Sequence, residues 1–440
     1  MTAFRELSVN DRIKTLQSEG LLSENETRLL LEQQAESSRT NIPADIANHM
    51  IEHQIGKYTL PVGVVRNLIV NNEKHNVLLA TEEPSVIAAA CNGARITAMS
   101  LEHGIIASSP SYMTTVQIVF EDYDGTLAKR LEDVVNSRKD EILNISDKAH
   151  PSIVERGGGA RKCRVEALKS FAKLSIDVDT KDAMGANIVN TIGEAVKAQL
   201  ESWLGCEALV AILTNTSRHA TVAEVHLPTI SLASNKLPES EKASEGARLA
   251  RRIAALSAFA AADPERAATH NKGILNGIAG AALASGNDTR ALEASAHAWA
   301  AHSGSYLPLS TWSIQEYESQ ETLYGRIEIP LQIGIVGGSI TSLPMAQIAI
   351  HVGKYKTSNE YRNVLAALGL VQNLAALRAL AGPGIQEGHM RLQSANIAIA
   401  AGAKGVEIEE ITNKLAHMKD ADRNAQTAEK LLKALRDLNN

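Results

Sequence analysis

The feature that most constrains this chain is an ordered run of short patterns between residues 113 and 215. "MTTVQIVF" is a β-branched run of strand length, and "LAKRLEDVVNSRKDEILNISDK" repeats apolar residues at helical spacing. "CRVEAL" and "FAKLSIDV" read as a pair of strands. "DAMGANIVNTIGEAVKAQLESWLG" is a helix and "EALVAILTN" a strand. The order βαββαβ is the ferredoxin-like pattern, and roughly 100 residues suffice for a compact unit with its own core. We place this unit at 111–217, inserted within a larger domain formed by 1–110 and 218–383. The expected fold class is therefore α+β.

The flanking regions are mixed. The first 60 residues look helical, with a polar break at "SSRTNIPAD". "KYTLPVGVVRNLIV" and "HNVLLAT" have strand character. In "EEPSVIAAACNGARITAMSLEHG", Pro84 suits the first position of a helix and Gly104 a stop. Alanine-rich helices include "GARLARRIAALSAFAAA" and "RALEASAHAWAAHSG", and "LYGRIEIPLQIGIVGG" is strand-like. A long helix, "NVLAALGLVQNLAALRALAG", ends at Gly382-Pro383-Gly384, a strong break. Residues 384–440 then form a tail of two helices joined at "AGAKG". A tail behind such a break is expected to move as a unit, like an active-site flap.

Composition narrows the function. Aromatic residues are 3% of 440, so the core is built from Ala, Leu, Ile and Val. The net charge of −6 comes from interspersed charges without a basic block, which argues against a nucleic-acid partner. Cys91, Cys163 and Cys206 are widely spaced and odd in number, as in a reducing compartment. No CxxC or HExxH occurs, so no metal is expected. No stretch is expected to span a bilayer, and a cytoplasmic enzyme is the resulting expectation.

Several short segments could carry chemistry, each with a plainer alternative. Asp182, Gly185 and Asn187 of "DAMGAN" stand between a strand and a helix, where a phosphate can approach free N–H groups. An ordinary capped helix explains them equally well. "RGGGA" and "GIVGGS" admit close backbone approach of a ligand, or are simply tight loops. In "DPERAATHNKGILNGI", Lys272 could stabilise an oxyanion, or lie in a solvated loop before a helix. Asp288 caps a helix or holds a lysine. Glu83, before Pro84, suits a helix start; as a proton donor it would need desolvation or an acidic neighbour. His389 in "GIQEGHM" is a polar residue at a helix mouth or a proton donor to chemistry elsewhere.

Together, "EEPSVIAAA", "DAMGAN", "ATHNKGI", "GIVGG" and "GIQEGHM" occur in the order found in 3-hydroxy-3-methylglutaryl-coenzyme A (HMG-CoA) reductases. The chain resembles the short class II form, which lacks a membrane anchor, over nearly its whole length. The resemblance implies a four-electron reduction of HMG-CoA to mevalonate and coenzyme A with two reduced nicotinamides, or the reverse oxidation. It implies Glu83, Lys272, Asp288 and His389 as catalytic residues, with Lys272 on the oxyanion and His389 as the acid for the departing thiolate. Asp182, Met184, Gly185, Asn187 and Asn215 match positions lining the dinucleotide. Ser85, Arg266 and Asn276 match residues holding the hydroxymethylglutaryl portion, and Arg5 a residue near the coenzyme A phosphates. Asp288 is expected to hold Lys272 charged and couple it to Glu83.

Two departures from the family pattern matter. The usual Glu-Asn-x-x-Gly dimer motif reads "EHQIG" here, with His53 in place of asparagine. Some NADH-specific members carry an acidic residue before the triple glycine, where this chain has His150. A histidine removes repulsion of a 2′-phosphate, so NADPH is favoured, with NADH possible. The resemblance also implies a homo-oligomer with active sites between subunits.

Overall fold

The computed structural model describes residues 4, 7–33, 42, 49–382, 394–418 and 422–438. Arg5, His389 and the Pro383-Gly384 part of the expected break lie outside the described residues.

The larger core is organised around the helix Ser358–Ala381. Val364 through Leu374 are buried without interruption. A largely apolar helix buried on every side belongs inside a protein or a membrane. The expectation that no stretch is long enough for a membrane is corrected here: this helix has the length and the mean hydropathy, 1.7 over its most apolar window. Yet 78% of that window is buried inside the fold, so it serves as the core helix. Its neighbours must come close. A Cβ at Gly93, in the helix Val86–Thr97, would lie 2.2 Å from the Val371 carbonyl oxygen, so only glycine permits this helix crossing. On the other side packs a four-stranded sheet ordered Ile106–Ser108, Thr221–Pro228, Gln320–Ile329, Ser310–Tyr317.

A two-stranded hairpin, Val62–Val70 with Glu73–Ala80, lies beside the helix Val86–Thr97. Its two-residue turn, Asn71-Asn72, has φ of 51° and 66°. That is the left-handed pair which twists a hairpin correctly, and asparagine tolerates it.

Residues 114–214 hold a second four-stranded sheet, ordered Gly159–Leu168, Phe171–Asp179, Thr114–Glu121, Val210–Thr214, antiparallel throughout. Its apolar cluster draws only on residues 116–211. The expected single helix over 127–148 is two helices, Leu127–Ser137 and Lys139–Ala149, joined at Arg138, and a short helix Pro151–Glu155 follows.

The strand expected through 323–338 ends at Ile329. The tail packs on itself: Ala398, Ile411, Leu415, Ala428 and Leu432 form a small cluster of their own. Its helices Val406–Ala416 and Ala425–Leu438 follow a helical segment at 394–400.

Candidate functional site

The strand Glu73–Ala80 delivers the chain to Thr81, whose Oγ1 accepts a hydrogen bond from the Glu83 N–H at 3.2 Å. Ser85 follows with φ of 75°. A non-glycine residue in that region is strained, and such strain concentrates where position matters. Facing this corner is the helix Pro264–Ala284. Asp263 caps it through the Glu265 N–H, and Pro264 occupies its first turn. The alternative of a solvated loop around Lys272 is thus overturned: Lys272 is mid-helix. Helical spacing puts Lys272, Asn276, Ala279 and Leu283 on one face, all lining an open cleft of about 330 Å³ together with Glu83.

Across this cleft Lys272 Nζ donates to Glu83 Oε2 at 2.8 Å, and Asn276 Nδ2 to Glu83 Oε1 at 3.4 Å. These partners are 189 and 193 residues apart in sequence. The lysine and glutamate side chains are 61% and 44% exposed. Such a pair contributes little to stability, ~1 kcal/mol at most.

Asp288 begins the helix Thr289–Ala300, whose Thr289, Glu293 and His297 line the same cleft. Its Oδ1 accepts from the Arg290 and Ala291 N–H groups, and both carboxylate oxygens pair with the Arg290 guanidinium at 3.0 and 3.1 Å. The Arg290 side chain and those backbone donors hold the Asp288 carboxyl below its ordinary value, so it stands ionised. The expected bond from Asp288 to Lys272 is not made; Arg290 occupies the carboxylate instead.

Arg266 lies on the lysine helix, close enough to His270 to disfavour a second positive charge. Burial first, then Arg266, pushes the His270 imidazole down to about 4. His270 is therefore neutral at ordinary pH. It sits in the core with Nε2 against Ser310 Oγ at 2.8 Å, facing away from the cleft.

The "DAMGAN" loop meets two others that sequence spacing does not connect. Asp182 accepts through its carbonyl from Ile335 N–H at 2.8 Å, and through Oδ1 from Ser358 N–H at 2.7 Å. That carboxylate thus sits at the N-terminus of the core helix, where the helix dipole favours it. A Cβ on Gly334 would lie 2.6 Å from Met184 N. Gly334 is held in turn by Asn287, which donates to its carbonyl at 3.0 Å and accepts from its N–H at 2.8 Å. Gly334 belongs to the "GIVGGS" turn singled out in the sequence, whereas Asn287 and Ser358 went unrecognised, although Asn287 is the middle residue of "GND". They join the Asp288 loop to the 182–187 loop.

Thr114 Oγ1 donates to the Met184 carbonyl at 3.0 Å. Gly185 has φ of 96°, and a Cβ there would meet Thr180 Cγ2 at 2.3 Å. It starts the helix Ala186–Leu204 with no side chain capping the first N–H groups and no acid in the first turn. Uncapped donors beside a position closed to any Cβ fit the pyrophosphate of a dinucleotide. Asn187 and Asn215 are exposed. His150 lies between two helices, with Nδ1 3.3 Å from Ser152 Oγ. Asp147, whose Oδ1 a Cβ on Gly159 would meet at 2.5 Å, is committed to the Ala160 N–H at 3.1 Å. Lys181, which sequence reading passed over, lies beside Gly157: a Cβ there would be 3.8 Å from its Cε. Its Nζ pairs with Asp179 at 2.8 Å.

The sequence model of the hydroxymethylglutaryl-coenzyme A reductase family matches residues 8–394. The chain is 37% identical over 437 residues to the 3-hydroxy-3-methylglutaryl-coenzyme A reductase of Archaeoglobus fulgidus, covering 98% of this chain and 94% of that one. It is 35% identical over 395 residues to a probable reductase of the same name from Borreliella burgdorferi, covering 89% and 86%. The solved reductase of Streptococcus pneumoniae superposes with a TM-score of 0.80 at 34% identity, over 99% of both chains. A class II structure from that organism, bound to NADPH in open conformations, gives 0.79 at 34% identity over 87% of this chain and 99% of that one.

Proposed function

This chain belongs to the hydroxymethylglutaryl-coenzyme A reductase family and has that oxidoreductase activity; on that basis we propose how its residues divide the work. Residues 111–217 form the inserted nicotinamide-binding unit, between 1–110 and 218–383 of the substrate domain, with 384–440 as the flap. The ferredoxin-like strand order and separate apolar cluster of the insert support this division.

The observation that carries the catalytic assignment is the Glu83–Lys272 bond at 2.8 Å in an open cleft. When bound, the nicotinamide supplies the reducing equivalents for both steps. Lys272 is placed by its helix to stabilise the oxyanion that develops on the substrate carbonyl. Glu83, bonded to Lys272 and Asn276, is the proton source for the aldehyde step. Asp288 joins them by exchanging the exposed Arg290 for Lys272 once substrate fills the cleft. Ser85, Arg266 and Asn276 hold the hydroxymethylglutaryl part, and Arg5 the coenzyme A phosphates. His389 protonates the departing thiolate: a thiolate whose thiol has a pKa of ~8.5 takes a proton readily from an imidazolium of ordinary pKa ~6.5, which leaves as the neutral imidazole.

For the dinucleotide, the uncapped start of Ala186–Leu204 holds the pyrophosphate, with Met184, Asn187 and Asn215 alongside. Asp182 acts by docking this loop on the core helix. Lys181 beside the glycine turn, and His150 in place of an acid, support NADPH, the cofactor of the pneumococcal structure, over NADH.

The catalytic pair is open to water here, whereas oxyanion chemistry needs a dry site. Residues 50–58 project from the same chain with Ile55 fully exposed and Tyr58 86% exposed. Both facts support a homodimer whose second subunit covers the cleft.

His389→Ala tests the scheme. It should slow thioester reduction far more than reduction of free mevaldehyde, and equal losses on both substrates would remove the thiolate-acid role.

A further inference from the structure

A second cavity, of about 200 Å³, lies apart from the cleft, between the turn of the 62–80 hairpin and the first turn of the core helix. Glu73 and His75 stand two apart on one strand and so share a face; Glu360 comes from the core helix. One ring nitrogen of His75 and one carboxylate oxygen from each glutamate lie within 4.8 Å of one another.

Two details make this more than a chance meeting of side chains. Glu360 Oε2 accepts from the Lys356 N–H at 2.8 Å, but Oε1 is fully buried and has no hydrogen-bond partner. A buried carboxylate oxygen without a donor is destabilising, and natural folds seldom leave one. His75 is only 4% exposed, and its Nδ1 is 3.2 Å from the Gly353 carbonyl. Against a carbonyl Nδ1 is the donor, and in the neutral ring that leaves Nε2 as the nitrogen able to ligate. A backbone carbonyl fixing one ring nitrogen is how proteins orient a metal-ligating histidine.

The charges facing this cavity are those of Glu73, Glu360 and Lys356. Lys356 Nζ is 3.9 Å from Glu73 Oε1, with both side chains largely exposed, 75% and 61%. Such a contact is weak and easily displaced.

We propose that Glu73, His75 and Glu360 form a binding site for a divalent first-row transition cation such as Zn²⁺. One imidazole with two carboxylates is a donor set for such ions, whereas Ca²⁺ and Mg²⁺ favour oxygen alone. The cavity leaves room for water to complete the coordination. Bound there, the cation ties the hairpin to the core helix, and that hairpin strand leads directly to Glu83.

The test uses the full chain, stripped with chelator and titrated with Zn²⁺ by calorimetry. The expected result is one equivalent per chain, with affinity reduced at least tenfold in Glu360→Gln and in Glu73→Gln. Zn²⁺ should raise the unfolding temperature of the unaltered protein and not that of either variant. Glu73 is exposed, so Glu73→Gln in chelator should melt like the unaltered protein. Binding unchanged in both variants would place the metal on other residues and overturn the proposal. So would absence of binding, or Ca²⁺ binding as tightly as Zn²⁺.

Discussion

Replacing Lys272 with alanine separates catalysis from folding in a way the geometry makes quantitative. Lys272 is mid-helix and 61% exposed, and alanine is the best helix former, so the helix itself is not weakened. What the fold loses is one exposed ion pair to Glu83 Oε2 at 2.8 Å, ~0.2–1 kcal/mol. In a chain of this size that shifts the unfolding temperature by no more than about 3 °C. The reaction loses a positioned positive charge at the oxyanion, ~2.7–4 kcal/mol, or roughly 10²–10³ in kcat. Glu83 also loses its partner, so the catalytic loss should sit at or above the upper end. The measurement is nicotinamide absorbance with HMG-CoA at saturation, run beside thermal unfolding of the same preparations. Turnover within tenfold of the unaltered enzyme would refute the oxyanion role. A collapse of the unfolding transition that tracks the lost activity would refute the claim that the pair is functional rather than structural.

Gly185→Ala places a Cβ 2.3 Å from Thr180 Cγ2 at a φ of 96°; it should cost ~1–3 kcal/mol and raise KM for the dinucleotide while leaving KM for HMG-CoA nearly unchanged, and a dinucleotide KM unaltered in a folded variant would remove the pyrophosphate site from this helix start. His150→Asp should shift the ratio of kcat/KM toward NADH and away from NADPH, and an unchanged ratio would place cofactor discrimination elsewhere, with Lys181 the next residue to vary.

Much of this protein was present in local pattern. The strand and helix order of 113–215 was legible because each element announces itself within about ten residues, by alternation or by 3.6-residue spacing. The family motifs were legible for the same reason, being contiguous. Where local pattern was ambiguous it misled, and 127–148 became two helices. It also understated 358–381, a helix of membrane length that the fold makes the centre of the core. Its companions decided that, through contacts such as Gly93 against Val371. Contacts between distant segments depend on docking, which one-dimensional spacing does not encode. Only the tertiary structure set Lys272 against Glu83 and joined the 182, 287 and 334 loops through Asn287 and Ser358. It alone brought Glu360 beside His75, because a buried carboxylate oxygen without a donor exists only once the chain has closed around it.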